Sequence, residues 1–345
     1  CLDQYQKEGT VDPLILGQRD RAPYLILPQK LYGRDEEIQV LLNAFKSIEK
    51  GNSIFAVVSG YAGIGKTSIV REIYQPVSQA RGFFISGKFD QHKQDTPYSA
   101  IIQAFQTLIS QLLTTNPNQI KIWQKRIQTA LGNNGQIIID LIPELEILIG
   151  SQPAVPILEG QAIQNRFHRI FQQFTEVFCQ PEHPLVLFLD DLQWADTASL
   201  KLIEHLVSHS NATYFLVIGA YRDHEVKLTH PLLHILDQLK NQFQTTTIEI
   251  TVQPLNINHV YELITDTFEA RANSKAIQQL SELIFDKTQG NPFFINQFLK
   301  TLNEEKIIKY DYQTNQWIWN LKEIQGVGLA DSNLVELLAR NFEKL

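Results

Sequence analysis

The sequence predicts an α/β fold in which a parallel sheet is flanked by helices, followed by an all-α segment and a partial winged helix. Three observations predict it. Uniformly apolar runs of strand length, Ile54–Val58, Leu185–Leu189 and Phe215–Ile218, have the composition of strands buried on both faces. Segments with apolar residues at helical spacing separate these runs, the alternation that builds parallel sheets. From Pro254 onward helical spacing takes over, until two short alternating runs on either side of residue 314.

The chain has 345 residues, room for two or three domains at about 150 each. It carries 30 basic and 37 acidic residues, a net charge of -7, which does not suit a polyanion binder. Two cysteines, Cys1 and Cys179, cannot form a disulfide framework and suit a reducing compartment. The sequence shows no charged-then-apolar leader and no apolar run of bilayer length, so a cytoplasmic protein without membrane partners is expected. The chain opens with Cys1 and contains no methionine, which reads as a piece of a longer polypeptide.

Residues 1–29, punctuated by Pro13, Pro23 and Pro28, have the composition of a linker or the tail of a preceding domain. The stretch Leu31–Ile38 then opens an amphipathic helix, with Ile38, Leu41, Leu42 and Phe45 on one side and acids in its first turn. Strand 1 is Ile54–Ser59. It runs into Gly60-Tyr61-Ala62-Gly63-Ile64-Gly65-Lys66-Thr67, which fits the phosphate-binding loop G-x-x-x-x-G-K-[ST] at every required position. Glycines let the backbone curl so that successive N–H groups converge on a phosphate. The helix that follows, through Ser68 to about Gln79, adds its positive end. Lys66 supplies a flexible cation to the β- and γ-phosphates, and the Thr67 hydroxyl can ligate magnesium.

Strand 2 is Phe83–Ile85, and Gly87–Lys93 follows as a polar loop. Lys88 and Asp90 on that loop either approach the ligand crevice or are simply solvated. Residues 98–180 have helical spacing near 98–114, 119–131, 136–149 and 162–179, interrupted around Pro117, Gly132–Gly135 and Gly150–Pro156. His168, among Phe167, Phe171 and Phe174, reads as a packed or surface residue.

The run Pro184–Asp191 is five apolar residues ending in two acids, a buried strand whose carboxylates emerge at its carboxyl end. In phosphate-loop proteins that strand lies beside the loop and its acid serves the magnesium shell. Asp190 takes that role here, and Asp191 is the candidate to polarise an attacking water. Gln193–Thr197 starts the next helix with Asp196 as N-cap, and Trp194 packs over the magnesium side or against a neighbouring domain. Strand 4 is Tyr214–Gly219. Arg222, just past its end, either meets a γ-phosphate or pairs with Asp223 or Glu225 on the surface. A helix at 231–240 and strand 5 at Thr247–Val252 close the sheet.

Three helices follow, at 256–269, 273–286 and 292–304, with Asn291 capping the third and Pro292 in its first turn. Ile307–Tyr312 and Gln316–Asn320 alternate across Gln313–Asn315, a hairpin signature. With a helix at 331–344 this suggests part of a winged helix. No basic recognition helix is visible, which argues against nucleic acid and for a structural or regulatory lid.

The motif order resembles the STAND class of AAA-type phosphate-loop (P-loop) NTPases. The resemblance rests on Leu31–Glu36, Gly60–Thr67, Leu185–Asp191, Tyr221-Arg222 and Gly290-Asn291-Pro292. More narrowly, QKLYGRDEEI, GKFDQ, FLDDLQWADTASL and GNPFFINQFL are similar to the ATPase module of large cyanobacterial-type proteins that join a serine/threonine kinase to a histidine kinase. The resemblance implies a P-loop core at 30–253, a helical lid at 254–304 and a partial winged helix at 305–345. It also implies ATP or ADP with Mg2+ as ligands. Gly33 and Arg34 would sit near adenine and ribose, and Gly60–Ser68 would wrap the phosphates. Asp190 would serve magnesium, Arg222 would sense the γ-phosphate, and Pro292 would close the lid over the base. Phe293 follows Pro292 where ring-forming relatives often carry a sensor arginine, and no Met-His-Asp triad or intersubunit arginine finger can be picked out.

The expected function is a nucleotide-dependent switch with slow hydrolysis, attached to kinase and sensor domains and capable of self-association. A ring-forming remodelling ATPase, or a winged-helix transcription regulator with a non-hydrolysing ATP site, are the competing expectations.

Overall fold

A computed structural model of the chain describes residues 25–93, 96–156, 158–208, 213–241, 246–268, 275–314 and 316–327. They fall into two compact units. One comprises residues 31–255 together with 291–293; the described parts of the other lie within 25–30, 256–290 and 294–327. Most of the linker expected at 1–29 and the helix expected at 331–344 lie outside the described residues.

The first unit begins with α1 (Asp35–Ile48), whose first turn holds Asp35, Glu36 and Glu37 and whose last turn holds Lys46, both matched to the helix dipole. Next come β1 (Ser53–Ser59), α2 (Lys66–Arg71), α3 (Tyr74–Gln79) and β2 (Phe83–Lys88). The single helix expected up to Gln79 is two, broken at Glu72-Ile73. Pro76 is the reason: it offers no N–H to the carbonyl four residues back and its ring crowds that carbonyl. Strand β2 also runs three residues further than expected. Ser86, Gly87 and Lys88 pair with Phe188, Leu189 and Asp190 of the next strand, so Lys88 ends a strand and is not in a loop.

A helical segment follows, comprising α4 (Ser99–Leu113), α5 (Pro117–Leu131), α6 (Gly135–Ile139), α7 (Glu144–Ile149) and α8 (Gln161–Glu176). Asn116 caps α5 through the Gln119 N–H, with Pro117 in the first turn. The helix expected across 136–149 is interrupted before Pro143, again because proline disfavours helix in front of it. The unit finishes with β3 (Leu185–Asp190), α9 (Thr197–Ser208), β4 (Phe215–Tyr221), α10 (Pro231–Asn241) and β5 (Thr247–Thr251). Asp196 caps α9 by accepting from the Ser199 N–H at 2.8 Å.

The five strands are parallel and ordered β2-β3-β4-β1-β5. β4 therefore lies between the phosphate-loop strand and the acid-bearing strand, yet the end of β3 still reaches the loop, where Asp190 accepts from Thr67 at 2.8 Å. Strand periodicity sorts the core into two faces. Phe55, Val57, Leu185, Leu187, Phe215 and Val217 pack with residues of α4 through α10. Ile54, Ala56, Val186, Phe188, Leu216 and Ile218 pack with α1, α2 and α3. A strand buried on both faces carries no polar alternation, which is why β1, β3 and β4 read as unbroken apolar runs.

In the second unit, α11 (Ile257–Thr267), α12 (Lys275–Thr288) and α13 (Pro292–Glu304), whose first two residues belong to the first unit, precede the antiparallel pair β6 (Ile308–Asp311) and β7 (Gln316–Trp319) and a short helix, α14 (Leu321–Gly326). Asn256 caps α11 through the His259 N–H. Phe268 packs between Trp317 and Trp319, with ring centroids 5.7 and 5.3 Å away. Among the described residues no helix is long and apolar enough to cross a membrane.

Candidate functional site

Register brings the sequence motifs to one edge of the sheet. Ser59 at the end of β1 lies opposite Tyr221 of β4, and Leu189 of β3 lies opposite Gly219. Gly60, Asp190 and Arg222 thus leave their strands side by side, at the carboxyl edge where ligands bind in open parallel sheets.

The loop Gly60–Gly65 depends on glycine at three points, and at Gly60 a Cβ would lie 2.7 Å from the Val252 carbonyl oxygen. Gly63 has φ +73°, and a Cβ there would lie 2.7 Å from the Phe293 Cβ. Gly65 has φ +103°, but a Cβ there would enter open space, with nothing within 4 Å. Gly65 therefore faces open space, as a backbone cradle that admits a phosphate must. Ile64 is buried among the core residues of β1 and α1 and anchors the loop from behind. Tyr61 is exposed and stacks on His224, ring centroids 4.7 Å apart, whereas Ser68 points to solvent.

Lys66 is only 7% exposed, and its ammonium donates to the carbonyl oxygens of Gly60 at 2.8 Å and Tyr61 at 2.9 Å. Burial lowers its pKa to about 8 despite the opposing pull of Asp190. A buried cation with two neutral carbonyl partners is one that an anion would stabilise further. Thr67 Oγ1 donates to Asp190 Oδ2 at 2.8 Å. Burial, and then the neighbouring Asp191, raise the Asp190 carboxyl above its ordinary value. A cation at Asp190 would relieve both. Thr67 and Asp190 together offer hard oxygen ligands of the type magnesium takes from a protein while phosphate and water fill its other positions.

Asp191 is buried and adopts a left-handed backbone, φ 56° and ψ 46°, a conformation aspartate tolerates better than most residues. Its carboxylate accepts from Gln193 Nε2 at 2.8 Å and lies 3.4 Å from Arg222 Nε and 3.3 Å from Lys88 Nζ. Arg222 also pairs with Glu225 at 3.0 Å and stands over the Trp194 ring at 4.8 Å. Its partners include one of the two acids expected of a surface pair, yet it is buried. Asp90 is exposed and accepts from the His92 N–H, a solvated turn. Sequence reasoning missed Gln193. Its side chain joins the ends of two strands, donating to Asp191 and accepting from the Arg222 N–H at 3.1 Å.

Three donors reach the outer side of the loop. Arg34, buried and paired with Glu37, donates to the Ile64 carbonyl at 3.3 Å, and burial lowers its pKa. Arg34 thus meets the phosphate loop itself, with Gly33 before it at φ 58°. Asn291 Nδ2 donates to the Ala62 carbonyl at 3.0 Å, and the Phe293 N–H lies 3.3 Å from the Gly63 carbonyl. Pro292, between them, is half-buried. The only sequence signal at Asn291 was its place before a proline at a helix start.

A family model described as an AAA ATPase domain matches residues 30–218. Hybrid signal transduction histidine kinase G of Dictyostelium discoideum is 30% identical, over 96% of this chain and 11% of that protein. Histidine protein kinase 1 of Candida albicans is 25% identical, over 57% of this chain and 8% of that protein. The chain therefore spans about a tenth of the length of these curated relatives. Among solved structures, the Walker-type ATPase of Pyrococcus abyssi is similar with a TM-score of 0.48 and 15% identity, covering 93% of this chain and 79% of that one. The family match takes in more than half of the chain, including Gly60–Thr67, Asp190 and Asp191, and this chain belongs to the AAA ATPase domain family.

Proposed function

We propose that this chain is an ATP-dependent switch module with slow, magnesium-dependent hydrolysis, working within a larger signalling kinase. The observation that carries the reading is the meeting of Lys66, Thr67 and Asp190 around an open glycine cradle at the sheet's carboxyl edge. The kinase context is supported by the two histidine kinases to which the chain is similar.

In this reading the N–H groups of Gly60–Ser68 receive the phosphates and Lys66 turns from the Gly60 and Tyr61 carbonyls to the β- and γ-phosphates. Thr67 and Asp190 would hold Mg2+, which when bound would neutralise charge developing on the transferring phosphoryl group. Asp191 orients the attacking water and accepts its proton, while Arg222 meets the γ-phosphate. The two side chains pair at 3.4 Å, so meeting water and γ-phosphate would require that pairing to loosen. That requirement suits slow turnover. ATP and ADP would then differ in what they demand of Arg222, the differential contact a two-state switch needs. Residues 254–304 would act as a lid closing with Pro292, and 305–345 as a partial winged helix. Their movement would signal to attached kinase and sensor domains or permit self-association in the cytoplasm. Single-turnover phosphate release from wild type and Asp191→Asn tests the catalytic part. Release should fall at least tenfold in the variant; an unchanged rate would remove Asp191 from the mechanism.

A further inference from the structure

Three consecutive carbonyls of the phosphate loop, those of Ala62, Gly63 and Ile64, are each met by a donor from elsewhere in the chain. A trans peptide points its C=O and the following N–H in opposite directions. Holding the Ala62 and Ile64 carbonyls on one side therefore turns the Gly63 and Gly65 N–H groups to the other, away from Asn291 and Arg34. The Ile64 N–H instead closes a turn on the Tyr61 carbonyl at 3.3 Å. Asn291 makes the best-formed of the outer contacts. It is 8% exposed, its Nδ2 donates to Ala62 at 3.0 Å, and its Oδ1 accepts from the Phe293 N–H at 3.0 Å. Only one orientation of the amide satisfies both, because Ala62 offers an acceptor and Phe293 a donor. Residues 291–293 belong to the same compact unit as the loop.

We propose that Asn291 is a positioning residue of the phosphate site. Its amide holds the Ala62 peptide in the orientation that presents loop N–H groups to a nucleoside polyphosphate before the ligand arrives. The proposal rests on the reading of Gly60–Thr67 as that site. Preorganised donors bind an anion without a reorganisation cost, so loosening one peptide should weaken binding while leaving every ligand-contacting group in place. The same amide caps α13, and the two roles separate by substitution. Serine and aspartate cap helices about as well as asparagine. Serine is too short to reach Ala62, and aspartate turns a carboxylate towards a carbonyl in place of a donor.

The test compares wild type with Asn291→Ser, Asn291→Asp and Lys66→Ala. ATP affinity is measured by calorimetry, and amide hydrogen exchange is followed in the nucleotide-free proteins. Both Asn291 variants should bind ATP about tenfold more weakly, the loss expected when one buried carbonyl is left unsatisfied. Exchange should quicken across residues 62–66 and stay unchanged in β1 and β3, which a general loss of stability would not do. Unchanged affinity, or weaker binding without faster loop exchange, in the two Asn291 variants would overturn the proposal while Lys66→Ala still abolished binding. Wild-type affinity in Lys66→Ala would instead sink the reading of the loop.

Discussion

Thr67 and Asp190 are joined by a 2.8 Å hydrogen bond between side chains 123 positions apart in sequence, linking the start of α2 to the end of β3. The contact crosses the end of β4, which separates their two strands. Replacing Asp190 with asparagine keeps an oxygen to accept from Thr67 but removes the charge. ATP affinity in Asp190→Asn should therefore lose most of its magnesium dependence, a drop on the order of tenfold in the enhancement magnesium gives. Stability of the nucleotide-free variant should stay within about 1 kcal/mol of wild type, because relief of a carboxylate that burial disfavours is offset by an amide that cannot accept from both Thr67 and the Asp191 N–H. Titrations with and without EDTA, beside a urea melt, check both outcomes.

Arg222 serves Asp191, Glu225 and the Trp194 face together, at 9% exposure. Arg222→Ala leaves buried Asp191 with only the half-exposed Lys88 as its cation and should cost about 2 kcal/mol in denaturant unfolding. Arg222→Lys should recover less than half of that, since a lysine cannot span both acids with a planar fork while stacking on tryptophan.

The lowered pKa of Lys66 sets a pH dependence with a definite sign. Polyphosphate favours the ammonium, so binding takes up a proton wherever the empty site has already lost it. ADP affinity, measured in EDTA to exclude metal, should be flat below about pH 8 and fall above it, by up to about tenfold per pH unit. Stability of the empty protein moves the other way. A lysine whose folded pKa is depressed binds fewer protons folded than unfolded between about 8 and 10.5, so this contribution grows as pH rises through that window. In Lys66→Arg the guanidinium stays charged and the ADP profile should lose its alkaline limb.

Two of the loop glycines, Gly63 and Gly65, should respond differently to alanine. Gly63→Ala strains a left-handed φ and drives a methyl into Phe293, so stability should fall by about 2 kcal/mol or more along with ATP affinity. Gly65→Ala meets no protein atom, so its stability cost should stay near the roughly 1–2 kcal/mol that a left-handed backbone costs a non-glycine residue. Its methyl enters the open space beside the loop, and ATP affinity should suffer more than stability does. Melting curves and calorimetry on the two variants separate these effects.

Much of this architecture could be read from residues alone, for a physical reason. Strands buried on both faces must be apolar throughout, so β1, β3 and β4 announced themselves, and a phosphate loop needs glycine, lysine and threonine at fixed spacing. Features set by tertiary geometry were not legible. Strand order is not written in any one strand, so the placement of β4 between β1 and β3 had no local signature. Lys88 follows a glycine and resembles a loop residue until β3 pairs with it. Pro76 and Pro143 did carry signals, but helical periodicity continues across both and outweighed them. Asn291 and Gln193 act through contacts 229 and 29 positions away, and nothing in their neighbourhoods distinguishes them from ordinary capping and turn residues.

Gly60–Thr67 is expected to bind the phosphates of a nucleotide through Lys66. Calorimetric titration of wild type and Lys66→Ala with ATP and magnesium tests this most directly. Wild type should bind one nucleotide per chain, and Lys66→Ala should bind at least about a hundredfold more weakly, as expected when a buried, charge-assisted contact is removed. Equal affinity in the two proteins would contradict the account.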